Sequence, residues 1–257
     1  MIQLIPIFSG SGGNCTLVRT EDTTVLVDVG LGYKLTLSAL QAHKVSPNDI
    51  SAVFVTHEHS DHIGGLSQWT KRHRVKLFAP RDICPVLCDK IYCGQVVPVG
   101  KTQQVDGLTV DVYECSHDSV ACAGYRFGDG KGSFVATVTD TGCTRAELVD
   151  FLAPCRGIQL ESNHDVNMLK CGPYPYQLKR RILSDFGHLS NDQASGVLQN
   201  LIGSNVTDVV LAHLSEHNNT AELAFDTAVN MYAAHNLIEG RDVNVHVAKP
   251  RCNDIVI

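Results

Sequence analysis

The sequence has no apolar run near the ~20 residues that a membrane-spanning helix needs, which excludes an integral helical membrane protein. The opening residues, MIQLIPIFSGSGGN, lack a basic region leading into an uninterrupted apolar stretch with a small-residue cleavage site, so no secretory signal is visible. The expected compartment is therefore the cytoplasm. Positive charge is scarce: 21 Lys and Arg stand against 27 Asp and Glu, a formal net charge of -6. That balance argues against a broad cationic sheath for nucleic acid, because neutralising many phosphates takes clustered basic side chains. Two local basic runs remain, Lys71 to Arg74 with Lys76, and Lys179 to Arg181, each readable as a solvated helix face. Linkers, low-complexity tracts and internal repeats are all absent. With 44% hydrophobic residues in 257, the chain suits one large domain spanning 1–257.

Ten cysteines and twelve histidines are what the chain has in number. Inside a cell the cysteines are expected as reduced thiols, mostly small buried hydrophobes. Cys84, Cys88 and Cys93 could give three thiolates to a structural zinc, but their spacing is unlike paired C-x2-C knuckles. The histidines are the anomaly.

Short β-rich runs at Ile2 to Phe8, Cys15 to Arg19 and Thr24 to Val29, parted by turn formers, predict consecutive antiparallel strands. Lys34 to Lys44 reads as a helix, and the apolar strand Ala52 to Thr56 follows the Ser-Pro-Asn-Asp turn at 46–49. From there strands and helices alternate. Helices are predicted at His62 to Lys71, Arg145 to Leu152, Tyr174 to Leu183, Asp192 to Ile202 and Ala221 to His235, the last with Thr220 as N-cap. Hairpins followed by alternation imply sheets packed together with helices on their outer faces. The glycine-rich segment Gly10 to Asn14 lacks the third glycine and the helix of a dinucleotide fingerprint, so it reads as a loop approaching a site or another backbone.

The informative segment is Thr56-His57-Glu58-His59-Ser60-Asp61-His62, directly after a predicted strand. His57 and His59, two apart at a strand end, can share a face, while Asp61 and His62 turn toward a second point. Borderline cations take imidazole and carboxylate together, so two adjacent metal sites are chemically natural.

This segment resembles the signature of the metallo-β-lactamase superfamily of binuclear hydrolases. The resemblance implies an αββα sandwich, and its further ligand positions match His117, Asp140 and His213 in order, each after a predicted strand. One metal would then be held by His57, His59 and His117, the other by Asp61, His62 and His213, with Asp140 bridging. Asp28 resembles the early aspartate that orients ligand histidines from behind. Within the superfamily, the segments Ser9 to Asn14, Asn163 to Asp165, Gly172 to Pro175, Gly187 to Asn191 and His213 to Asn219 resemble the YycJ/WalJ-like bacterial metallohydrolases. That family is linked to phosphodiester cleavage in DNA, including 5′-to-3′ exonuclease action on duplexes.

The resemblance implies a phosphodiesterase using two divalent ions, Zn or Mn, with a water between them deprotonated as nucleophile and oriented by Asp61. His188 precedes the helix start at Ser190-Asn191, where backbone N–H groups favour phosphate. Its setting resembles the histidine loop of ribonuclease Z, whose histidine works beside a glutamate, here Glu161. His188 tuned by Glu161 would protonate the leaving oxygen. Asn14, His217, Asn219, Lys179 and Arg180 are the candidate substrate contacts, and DNA is favoured over RNA. His164 is read as packing beneath Tyr174 and Tyr176; Cys115, Cys122 and Cys143 as buried thiols. Two rival hydrolases share the pattern. A β-lactamase is disfavoured by the bridging Asp140, and a glyoxalase-type thioesterase by the segment after Asp140. A metal-stabilised interaction module is the non-enzymatic alternative.

Overall fold

Alternation of side chains along the early strands divides their apolar residues between two faces, and both faces are buried. In the computed structural model, which describes residues 1–251 and 253–257, Ile5, Ile7, Leu26, Val53 and Val55 point to one side of the first sheet. Ile2, Leu4, Val25, Val27 and Phe54 point to the other. This sheet runs β1 (Gln3–Phe8), β2 (Cys15–Arg19), β3 (Thr24–Val27), β4 (Ile50–Phe54), β5 (Lys76–Ala79) and β6 (Val96–Pro98) in spatial order. The β1–β2 and β2–β3 pairs are antiparallel, as predicted, and the later pairs are parallel.

The second sheet repeats the scheme. β7 (Thr102–Val105), β8 (Leu108–Cys115), β9 (Cys122–Gly128) and β10 (Phe134–Val138) form an antiparallel meander. β11 (Gly157–Glu161), β12 (Asp208–Ala212) and β13 (Asn244–Val247) then add in parallel. Phe54 meets Phe78, Tyr125 and Phe127 between the sheets at ring separations of 5.1 to 5.6 Å. Outside the first sheet, Leu40 of α1 (Tyr33–Ala42) packs with Leu66 and Trp69, from the segment after β4, over Val53 and Val55.

That segment corrects one prediction. The single helix expected at His62 to Lys71 is two, α2 (Ser60–Ile63) and α3 (Leu66–Arg72). A Cβ on Gly65 between them would stand 2.0 Å from the Leu31 carbonyl oxygen, so only glycine fits at this junction. Next come α4 (Cys84–Cys88), α5 (Ala146–Leu152), α6 (Val166–Cys171), α7 (Tyr176–Ile182), α8 (Asn191–Asn200) and α9 (Ala221–Ala234). Leu148, Leu152, Val197, Leu198, Ala224, Ala228 and Tyr232 from α5, α8 and α9 cover the outer face of the second sheet. Three apolar interfaces therefore separate four layers, helices outside and two sheets inside, which is the αββα sandwich. Thr220 caps α9 through the Leu223 N–H (3.1 Å).

The cysteines bring a second correction. Cys88 and Cys93 are joined by a disulfide, so these two are not thiols and Cys84, Cys88 and Cys93 are no thiolate set for zinc. Cys84 instead donates to the Pro80 carbonyl (3.4 Å). Cys115 and Cys122 are buried thiols, while Cys143 is only half-buried. No helix among the described residues is long and apolar enough to cross a membrane.

Candidate metal centre

Strand ends from both sheets converge on one point. Asp28 follows β3, His57 follows β4, His117 follows β8, Asp140 follows β10, Glu161 closes β11 and His213 follows β12. Asp28, Asp140 and His213 have φ of 61°, 59° and 57°. Left-handed backbone is uncommon for residues other than glycine, and three such residues at one site mark conformations that the surrounding structure imposes.

Four groups of side-chain atoms lie mutually within 4.8 Å: His57, His59 and His117; Asp61, His62 and His213; His57, His62 and Asp140; and Asp140, Glu161, His188 and His213. The first two are the triads that the sequence pattern suggested. Asp140 lies between them, Oδ2 3.2 Å from His62 Nε2 and Oδ1 3.8 and 3.5 Å from His117 and His213 Nε2.

Three imidazoles share one arrangement, with Nδ1 tied to protein and Nε2 toward the carboxylates of the centre. His62 Nδ1 donates to Asp28 Oδ2 (2.7 Å), His117 Nδ1 to the Gly187 carbonyl (3.0 Å) and His213 Nδ1 to Glu161 Oε1 (3.0 Å). Such partners fix tautomer and ring orientation. Asp28 is itself held by the Thr56 N–H and hydroxyl, both at 2.8 Å. His57 Nε2, His213 Nε2 and Asp140 Oδ2 are buried without a hydrogen-bond partner. Buried polar atoms are seldom left so; here they point inward at a shared space.

The electrostatics agree with a cation-binding role. Burial, reinforced by neighbouring histidines, pushes His57 well below the usual imidazole range, and burial also lowers His117, leaving both neutral as ligands must be. At His62 and His213 burial opposes charge, but Asp140 and the other carboxylates outweigh it; His213 is raised to about 10. Asp140 lies well below the ordinary carboxylate range because His213 and His62 overcome its burial. Four carboxylates, Asp28, Asp61, Asp140 and Glu161, thus crowd one largely buried space. The donor set fits divalent cations.

The remaining predicted residues fall on two sides of this centre. Glu161 is fully buried, and its Oε1 accepts from His188 Nδ1 at 2.8 Å while Oε2 accepts from the Thr141 and Leu189 N–H groups. Asn14 reaches Asp61 Oδ2 (3.2 Å) and accepts from the Gly10 N–H (3.0 Å), so it braces Asp61. The Gly10 to Asn14 loop approaches the centre as expected: Asn14 N donates to the Asp61 carbonyl at 2.8 Å.

Other assignments are altered. Asn219 spends its amide on the Ser162 and Asn163 carbonyls and on Asn191, and Lys179 Nζ caps the Lys170 and Gly172 carbonyls at 2.7 Å, so both brace the chain itself. His217 is exposed against the Tyr174 ring edge, and Arg180 reaches over Tyr176. His164 is buried with both ring nitrogens unpartnered, and burial lowers it to about 4; it lies outside the four groups. Sequence reasoning missed Thr56, whose hydroxyl touches Asp28, His57 and His62; its only signal was its position before His57.

Residues 9–151, more than half of the chain, match the family model described as the metallo-beta-lactamase superfamily. The chain belongs to that superfamily. Within this superfamily it is 36% identical over 249 residues to exodeoxyribonuclease WalJ of Streptococcus pneumoniae, covering 94% of this chain and 92% of that protein. It is 33% identical over 248 residues to exodeoxyribonuclease YycJ of Bacillus anthracis, covering 95% and 94%. The fold is also that of the metallo-beta-lactamase fold protein YhfI from Bacillus subtilis, with a TM-score of 0.74 and 18% identity over 100% and 99% of the two chains.

Proposed function

We propose that this protein is a binuclear metal-dependent phosphodiesterase that degrades DNA from its ends, in the 5′-to-3′ direction. The observation that carries the reading is likeness over nearly the whole chain to two exodeoxyribonucleases. The inward-facing imidazole and carboxylate atoms support it independently. The chain 1–257 is read as one hydrolase domain, because Asp28 and His57 follow strands of the first sheet and His117, Asp140 and His213 follow strands of the second. Its expected compartment is the cytoplasm; seven cysteines among the described residues are free thiols, the ordinary state there, while the Cys88–Cys93 disulfide is not.

His57, His59 and His117 would hold one divalent ion, Asp61, His62 and His213 the other, and Asp140 both. When bound, such a pair acidifies water and neutralises charge developing on a phosphate. The chain's own residues supply the rest. Asp61, braced by Asn14 and more exposed than the buried Asp140, would orient the attacking water. Glu161 holds His188 by Nδ1, so Nε2 is the atom left to give a proton to the leaving oxygen. Arg180 and His217 are the outer contacts for the phosphate backbone.

The test is a panel of end-labelled single- and double-stranded DNA and RNA, with Zn²⁺ and Mn²⁺ supplied in turn. Progressive loss of nucleotides from the 5′ end of DNA is the expected result. Protein with full metal content that cleaves none of these, yet hydrolyses a glutathione thioester, would sink the proposal in favour of the thioesterase.

A further inference from the structure

The loop from Ser184 to His188 is pinned to the metal centre from several sides. The Phe186 carbonyl accepts from the Asp118 N–H (3.0 Å), and the Gly187 carbonyl accepts from His117 Nδ1. A Cβ on Gly142 would stand 2.5 Å from backbone atoms of Ser184, Asp185 and Gly187, so this loop lies flat on the turn after Asp140. Yet the side chain of Phe186 points outward and is 60% exposed. Val120, on the loop whose Asp118 N–H bonds the Phe186 carbonyl, has its own N–H tied to Glu58 between His57 and His59 and is 57% exposed. A scattered exposed apolar residue needs no explanation. These two stand on anchored backbone, within three residues of His188 and His117, at the rim of an otherwise polar centre.

We infer that Phe186, with Val120 on the adjoining loop, is the stacking platform for the nucleobase of the end nucleotide being removed. The inference rests on the nuclease reading above, and it specifies the substrate: a terminal nucleotide whose base has left the helical stack. Three features favour a base as occupant. An aromatic ring stacks on any base without regard to sequence, because every base has a π-face. Phe186 is two residues from His188, so a phosphate at the metal centre and a base on the ring can belong to one nucleotide. A cationic side chain adjoins the platform: Arg181 pairs with Asp118, whose N–H bonds the Phe186 carbonyl. It suits a flanking phosphate.

The test uses metal-loaded protein. Binding is read by fluorescence of 2-aminopurine at the 5′ end of DNA made resistant to cleavage by phosphorothioate linkages; cleavage is read on ordinary DNA and on bis-p-nitrophenyl phosphate, which has no base. Phe186→Ala should weaken binding about 5- to 150-fold, the scale of losing one stacked base, and lower the ratio of kcat/KM for DNA to that for bis-p-nitrophenyl phosphate by a similar factor. Phe186→Trp should restore both. An abasic 5′ end should cost the wild type that same factor and cost Phe186→Ala little more. Equal losses on both substrates would make Phe186 a prop for His188 and overturn the platform. Unchanged DNA binding and cleavage by Phe186→Ala would overturn it and leave the nuclease reading intact. A wild type inactive on every nucleic acid would remove the nuclease reading, and the platform with it.

Discussion

Glu161 shows how much a single buried carboxylate can organise. It accepts four hydrogen bonds, two from imidazoles and two from backbone N–H groups; the neighbouring His188 charge and the hydrogen bonds from His188 and His213 overcome a burial that would otherwise raise its pKa. Both His188 and His213 therefore carry Nδ1–H and turn Nε2 toward the reaction space. Removing His188 should separate proton donation from metal binding. His188→Ala is expected to keep near-normal metal content and lose ~10² or more in rate on DNA, the scale of a lost general acid. Much of that loss should vanish on a p-nitrophenolate ester, whose leaving group needs little protonation. An equal loss on both would make His188 a phosphate-positioning contact. Asp28 plays the corresponding part for His62, accepting its Nδ1–H at 2.7 Å. Asp28→Asn should lower affinity for the metal at Asp61, His62 and His213 by about 10- to 100-fold, the usual effect of removing a ligand's supporting partner. Competition with a chelator measures it, and unchanged affinity would refute the supporting role.

At the scale of elements, loops are latched to one another by contacts distant in sequence. Asp118 after β8 pairs with Arg181 of α7, tying the loop that carries Val120 to the helix that precedes Phe186. Burial alone would raise the Asp118 pKa, but the Arg181 hydrogen bond outweighs it and the result lies below the usual value. A depressed carboxylate contributes stability present above the unfolded pKa of about 3.9 and lost as pH falls through the folded value. Asp118→Asn should thus cost about 0.2 to 1 kcal/mol near neutrality, because the pair is partly exposed. Denaturation of metal-free protein should find the two curves merging below pH 4, and a gap that persists there would contradict the latch. Such pairings are what a sequence hides. Period-two alternation and turn formers made β1, β2 and β3 legible, and the order His57, His59, Asp61, His62, His117, Asp140, His213 made the site legible. Nothing in residue type revealed that Asp28 turns left-handed and ends β3 two residues early, or that Lys179 would cap α6 and Asn219 would brace Ser162, Asn163 and Asn191. β6 was missed because three residues ending in Pro98 carry no periodicity.

For the molecule as a whole, the centre sits where the two sheets meet, and each cation would draw ligands from both. His57 and His59 come from beyond β4 of the first sheet and His117 from beyond β8 of the second; Asp61 and His62 come from α2, and His213 from beyond β12. Bound metal would therefore cross-link the sandwich, while three separate apolar clusters keep the sheets and helices together without it. Binding only to the folded state stabilises by about 2.7 kcal/mol when free ligand is at 100 times Kd. At roughly 2 to 4 °C per kcal/mol for a chain approaching this size, Zn²⁺ or Mn²⁺ should raise Tm by about 5 to 10 °C over chelator-treated protein. If one carboxylate serves both ions, Asp140→Ala should fold, as circular dichroism will report, but forfeit most of that increment. His117→Ala should forfeit only the share belonging to the ion it ligates. Metal analysis of the same samples distinguishes the cases: if Asp140→Ala retains two equivalents and the full rise in Tm, Asp140 does not bridge.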